Sequence, residues 1–226
     1  MTTQIARPTA KEISVAVICL VLLLGGAFLA ASLTQGTDIF SLVQPSPNNT
    51  APNIFQQTQR LDLHRTFFTA WAALILVTLA LYTFLLRHSA ESAARYWLAF
   101  WTVSFIAFLV HFYWAVFVMF GNDWNRILQA KGRVSAPIPD TIVTVWWGLD
   151  VLMAWLIKSE RLWIRIERAL IHLLVFALFF LGAAKEGERM LSKALGIAMG
   201  VAVLISFLIW VIRRLKKSKR GVAPAT

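Results

Sequence analysis

Six apolar blocks, at residues 13–33, 66–86, 96–120, 141–157, 169–184 and 194–212, dictate what this chain can fold into. A hydrocarbon core about 30 Å thick is crossed by about 20 residues of helix, and the six blocks meet or approach that length. The blocks at 141–157 and 169–184 are the shortest and lie near the lower limit of a span. In hydrocarbon the backbone groups have no water to bond, so a single segment crosses as a helix that satisfies its own donors and acceptors. Composition agrees: 58% of the residues are apolar and 15% charged, against roughly 45–50% and about 25% in soluble domains. The expected fold is all-α, a polytopic transmembrane bundle of six helices. It forms one membrane domain over residues 13–212, with a short stretch 1–12 before it, a loop at 34–65 and a basic tail at 213–226. No internal repeat supports an inverted-repeat transporter.

The net charge of +11 is not the footprint of a nucleic-acid binder, because the basic residues flank apolar blocks rather than populate a folded basic domain. Their natural partner is the anionic lipid headgroup. Of the 22 Lys and Arg residues, 14 fall on the side of the termini and the other 8 on the opposite side. The excess places both termini in the cytoplasm, and the expected location is a bacterial cytoplasmic (inner) membrane. Arg7 and Lys11 before the first block, with Ala30, Ala31 and Ser32 at its end, also fit a cleavable signal peptide; the block is longer than the usual h-region of about 7–15 residues, which favours an uncleaved anchor. Loop 34–65 is expected on the outer side, and its segment 44–52, rich in proline and asparagine, reads as an extended link. The single cysteine, Cys19, lies inside the first block, which excludes an intrachain disulfide and a thiolate metal cluster.

Asp150 is the residue that most needs an explanation, since it sits near the centre of the fourth block. A carboxylate there costs about 2.5–3.5 kcal/mol on insertion scales, so it requires a partner, water or a proton. His111, in the preceding block, lies at a matching depth of roughly 13 Å, and adjacent helices usually pack together. An Asp150–His111 pair is the expected arrangement, acting as a proton relay, as a ligand-holding site, or as an interhelical clamp. A mere clamp predicts that Asp150→Leu is tolerated. Histidine also holds b-type haem between helices, and His64, His88, His111 and His172 are the available haem or metal ligands. His88 with His172, near one membrane face, is one possible pairing, and His64 with His111 the other.

The third block carries Trp97, Trp101, Phe105 and Phe108 at helical spacing. Such a stripe stacks on a flat hydrophobic molecule such as a quinone or carotenoid, or faces lipid or a neighbouring helix. Gly196 and Gly200 form a GxxxG in the last block, and Gly26 with Ala30 a shorter small-residue row. Both are packing signals that serve contacts inside the chain or with another protein. Lys158, Arg161, Arg165 and Arg168 recur at spacings of 3, 4 and 3, the pattern of a helix resting on cytoplasmic headgroups. Asp140 is placed as an N-cap of the fourth helix, and with Asp123, Arg126 and His64 it also sketches an outer polar site.

The sequence carries no HExxH, GxSxG, Walker A or CxxC motif and no soluble domain to house a conventional active site, which leans against an enzyme. The leading expectation is a non-catalytic membrane subunit that binds a protein partner or a hydrophobic ligand. The alternatives are a proton-coupled transporter or channel using Asp150 and His111, and a b-haem or metal-dependent redox protein.

Overall fold

The computed structural model describes residues 6–35, 52–129, 137–157, 161–185 and 190–220, and every regular element among them is helical. In chain order these are α1 (Ala10–Gln35), α2 (Pro52–Leu86), α3 (Glu91–Tyr113), α4 (Trp124–Gln129), α5 (Pro137–Leu156), α6 (Leu162–Phe180) and α7 (Met190–Arg220). Two helices change pitch at their C-terminal ends: α3 continues as a π-helical turn over Trp114–Met119, and α6 as another over Leu181–Lys185.

Five helices are long and apolar enough to cross a membrane: Ala10–Thr34, Leu61–Leu86, Glu91–Met119, Leu162–Lys185 and Met190–Lys216. The expected fourth span forms helix α5 but is not one of the five. Its 20 residues are long enough at about 1.5 Å each, yet Asp140, Asp150, Trp146, Trp147 and Trp155 dilute its hydropathy. The expected loop 34–65 is also revised in part. Residues 36–51 lie outside the described residues, whereas 52–65 belong to α2, which runs for 35 residues.

Local chemistry explains several boundaries. Pro137 opens α5, where a missing N–H costs nothing, and Asp140 falls in the first turn, where the helix dipole favours a carboxylate. It is therefore inside the helix rather than the N-cap ahead of it. Between α2 and α3 the chain reverses through a short turn in which the Ser89 N–H donates to Leu86 O at 2.8 Å.

The core lies between α2 and α3, the most extensive pairing in the molecule, with α1, α5, α6 and α7 around it. The aromatic stripe of α3 faces this core: Trp97, Trp101 and Phe108 are all buried. Helix α5 runs antiparallel to α3 along most of its length. Near one end the Trp155 indole donates to Thr102 Oγ1 at 2.9 Å; further along, Trp147 packs on Phe105 and Phe108; at the other end Asp140 and Thr141 share a cavity with His111 and Phe112. Helix α6 runs back parallel to α3, with His172 against Trp97 and Phe179 against Phe108. Helix α7 then returns along α6. Its Gly196 is held so close to the end of α6 that an added Cβ would lie 2.7 Å from Ala184 N, and one on Gly200 would lie 2.8 Å from the Phe180 ring. The GxxxG thus serves a contact inside the chain.

Candidate functional site

Three helices bring a polar cluster into the middle of this apolar bundle. On α3, Trp97 and Trp101 are one turn apart; on α6, Arg168 and His172 have the same spacing; α5 supplies Asp150 between them. Asp150, Arg168 and Trp101 are each 0% exposed.

The Arg168 Nε donates to Asp150 Oδ1 at 3.1 Å, and the Trp101 indole donates to Asp150 Oδ2 at 2.7 Å. Each carboxylate oxygen therefore has a donor, and one of those donors carries the compensating charge. Taking both ions out of water is expensive, and their attraction repays it only when the geometry is good and the remaining lone pairs are satisfied. Here indole and guanidinium do both. The Arg168 guanidinium also lies 5.1 Å from the Trp97 ring centre, within cation–π range.

His172 is fixed on every side. Its Nδ1 faces Arg168 O at 2.7 Å and its Nε2 faces the Trp97 indole nitrogen at 2.9 Å. A carbonyl only accepts and an indole N–H only donates, so Nδ1 carries the proton, Nε2 accepts, and the ring is the neutral Nδ1–H tautomer. Phe84 and Trp101 stack on its two faces, each with centroids 3.7 Å away. With both nitrogens engaged and both faces covered, His172 presents no lone pair to a haem iron.

A second carboxyl borders the cluster. Glu167, beside Arg168 on α6, accepts from the Trp146 indole at 2.6 Å through Oε1, while its Oε2 is buried without a hydrogen-bond partner. It is close enough to Asp150 for the two carboxyls to act on each other.

The expected Asp150–His111 pair does not form. Asp150 meets α3 at Trp101, and His111 lies ten residues further along that helix, about 15 Å away at 1.5 Å per residue. There His111 Nδ1 donates to Thr66 O at 3.0 Å. Of the other histidines, His88 is exposed at the α2–α3 turn and His64 is half-buried on α2, near the Phe68 ring. His172, one half of the first pairing, has both nitrogens engaged, and among the described residues no group of three or more His, Cys, Asp or Glu side chains is placed to hold a metal.

Arg168 is the functional residue that sequence reasoning misplaced. Its spacing groups it with Lys158, Arg161 and Arg165 as a headgroup-facing row; Lys158 lies outside the described residues, and Arg161 and Arg165 are indeed exposed. One turn deeper the same helical face enters the bundle and meets Asp150. The available signal was its i,i+4 spacing to His172, which puts both on one face. A smaller polar pair sits towards the opposite end of the bundle. Arg65 Nη1 lies 3.4 Å from Asp62 Oδ1, both residues are buried, and the guanidinium lies 4.9 Å from the Trp114 ring centre. Arg65, like Arg168, stands immediately before an apolar block and so falls among the 22 loop charges of the sequence tally.

No family model matches this chain, and neither a curated protein nor a solved structure does so. The geometry is accordingly the whole basis for a functional reading.

Proposed function

We propose that this chain is a non-catalytic integral membrane subunit that crosses the bilayer six times, with both termini cytoplasmic, and that it engages a protein partner or a hydrophobic ligand through its outward faces. A bacterial cytoplasmic membrane is its proposed location. The observation that carries the reading is the closure of the central cluster. Asp150, Arg168 and Trp101 are fully enclosed, and both Asp150 oxygens are held by donors from the other two, which is the behaviour of a clamp joining three helices rather than of a site open to substrate.

The sixth crossing is supported by the partnership of α5 with α3. A helix that follows a spanning neighbour from Thr102 to Phe112 shares its environment, and the Asp150 charge is neutralised by Arg168. The orientation is supported by charge and by topology. The Arg7 guanidinium donates to Trp155 O at 2.8 Å, placing the start of the chain at the same end of the bundle as the end of α5, and α7 returns towards that end with its basic C-terminal turns. Removing Arg168 and Arg65 from the loop tally leaves 13 against 7, still an inside excess.

A partner surface is supported by α1, whose most apolar stretch is 11% buried against 61% for α2. Gly25 and Gly26 on α1 meet nothing within 4 Å, unlike the glycines of α7, so a small-residue seam faces outward. Gly26→Leu is expected to leave the melting temperature of the purified protein unchanged and to abolish co-purification of a membrane partner from native membranes. Undiminished recovery of the same partner would remove α1 as the docking face.

Glu167 favours a second reading, proton-coupled transport, because it brings a second, partly buried carboxyl close enough to Asp150 for the two to interact. Proteoliposomes loaded with a pH-sensitive dye separate the two. Under an imposed pH gradient, wild type and Glu167→Gln are expected to dissipate it at equal rates; several-fold slower dissipation in Glu167→Gln transfers the assignment to the transporter.

A further inference from the structure

At the far end of α3 from the charge cluster, the chain builds a cavity of about 50 Å³ whose wall includes His111, Asp140, Phe112, Phe120 and Trp124. Its construction uses irregular backbone. The α3 helix widens into the π-helical turn Trp114–Met119, then Gly121 and Asn122 both adopt left-handed conformations, with φ of 63° and 59°. The Asn122 N–H returns to Val116 O at 3.0 Å, and this turn folds α4 back so that Ile127 is buried. Single π-helical turns of this kind are frequent at functional sites, and a left-handed asparagine is uncommon.

The polar side chains of the cavity wall are His111, Asp140, Thr141 and the Trp124 indole. His111 donates through Nδ1 to Thr66 O, which in the neutral ring leaves Nε2 as an acceptor. Asp140 contributes a carboxylate, which accepts up to about four hydrogen bonds and so takes a further donor beside the partners it already has. Phe108, Phe112, Phe120 and Trp124 supply aromatic faces, which attract cations. A negative carboxylate beside aromatic faces, with a Thr141 hydroxyl that accepts as well as donates, selects against anions and in favour of a positively charged donor. The volume holds about four water-sized groups, matching an ammonium with two carbons and an oxygen, whereas a trimethylated ammonium is larger and offers no N–H to Nε2.

We propose that this cavity binds a primary ammonium group on a two-carbon arm, the chemistry shared by an aminoethyl phospholipid headgroup and by free ethanolamine. The site is separate from the Asp150 cluster and does not depend on the reading of the chain as a partner-binding subunit.

The full-length protein in nanodiscs tests it. Native mass spectrometry of protein released from discs of equimolar phosphatidylethanolamine, phosphatidylcholine and phosphatidylglycerol is expected to show phosphatidylethanolamine retained about tenfold over the other two, the scale of one cation–π and ion-pair contact. Asp140→Asn is expected to bring retention to parity. Trp124→Leu, on the short and partly exposed α4, does the same without touching the first turn of α5, and so answers the question should Asp140→Asn not fold. In discs of phosphatidylglycerol alone, millimolar ethanolamine that raises the wild-type melting temperature assigns the site to the soluble amine; a rise with phosphatidylethanolamine and none with ethanolamine assigns it to the lipid. Equal retention of the three lipids with no response to ethanolamine, or a preference unchanged in both variants, overturns the proposal.

Discussion

Replacing Asp150 by leucine is expected to destabilise the protein by about 3–5 kcal/mol, the usual scale for breaking a buried ion pair. The sequence alone, with His111 as the expected partner, has the leucine tolerated where the pair only clamps helices. The actual partner is Arg168, which is 0% exposed and donates to Asp150 at 3.1 Å. Leucine at 150 therefore leaves an uncompensated guanidinium inside the bundle and removes the acceptor of the Trp101 indole. Arg168→Leu strands the carboxylate in the same way.

The double replacement Asp150→Leu with Arg168→Leu is expected to recover most of the loss, because exchanging a whole buried pair for apolar side chains is often neutral or stabilising. Its residual cost is the orphaned Trp101 N–H, about 1–3 kcal/mol. Reversible unfolding in mixed detergent micelles measures all four proteins in one cycle. Additive losses in the double replacement would mean that the two residues act independently and that the cluster is not a clamp. This cycle also bears on function: a clamp tolerates the double replacement, whereas a working charge does not.

The fold was legible in the sequence where hydrophobicity alone decides. Long apolar blocks become helices because hydrocarbon leaves the backbone no alternative, and five of the six predicted blocks coincide with helices of spanning length and composition. Block edges were less legible, for a physical reason. Arg65 and Arg168 lie inside helices because each finds a carboxylate, Asp62 and Asp150, and a tryptophan ring. A one-dimensional scan sees the charge and ends the span there; the compensation comes from another turn or another helix, and nothing local announces it.

The candidate site divides along the same line. Asp150 stood out because a central carboxylate is costly wherever it points. Its partner could not be read, because pairing across helices depends on rotation about each axis, and matching depth says nothing of rotation. The aromatic stripe was visible as a stripe, and its inward direction was not. Once Trp97 and Trp101 face the core, their indole N–H groups need acceptors, and His172 Nε2 and Asp150 Oδ2 supply them. Of the roles open to the row, facing a neighbouring helix is the one it takes, as a set of donors that fixes the tautomer of one histidine and one oxygen of one carboxylate.

The two small-residue rows have opposite environments, and the second large effect follows from that contrast. A Cβ on Gly196 would fall 2.7 Å from Ala184 N and 3.0 Å from the Ala183 Cβ, distances that backbone atoms cannot relieve by rotating a side chain. Gly196→Leu must therefore push α7 away from the π-helical end of α6. Overpacking of this kind costs about 1–3 kcal/mol, and the upper end applies because the obstacle is main chain. The expected outcome is a large fall in melting temperature in detergent, with protease cleavage appearing in the α6–α7 connection as α7 separates. Gly200→Leu meets the Phe180 ring at 2.8 Å, and a ring edge yields by rotation, so its loss is smaller. Gly26→Leu, with nothing within 4 Å, is the matched control and is expected to melt with wild type. If Gly196→Leu and Gly26→Leu melted together, the close approach of α7 to α6 would be disproved, and the GxxxG would return to being a surface for another chain.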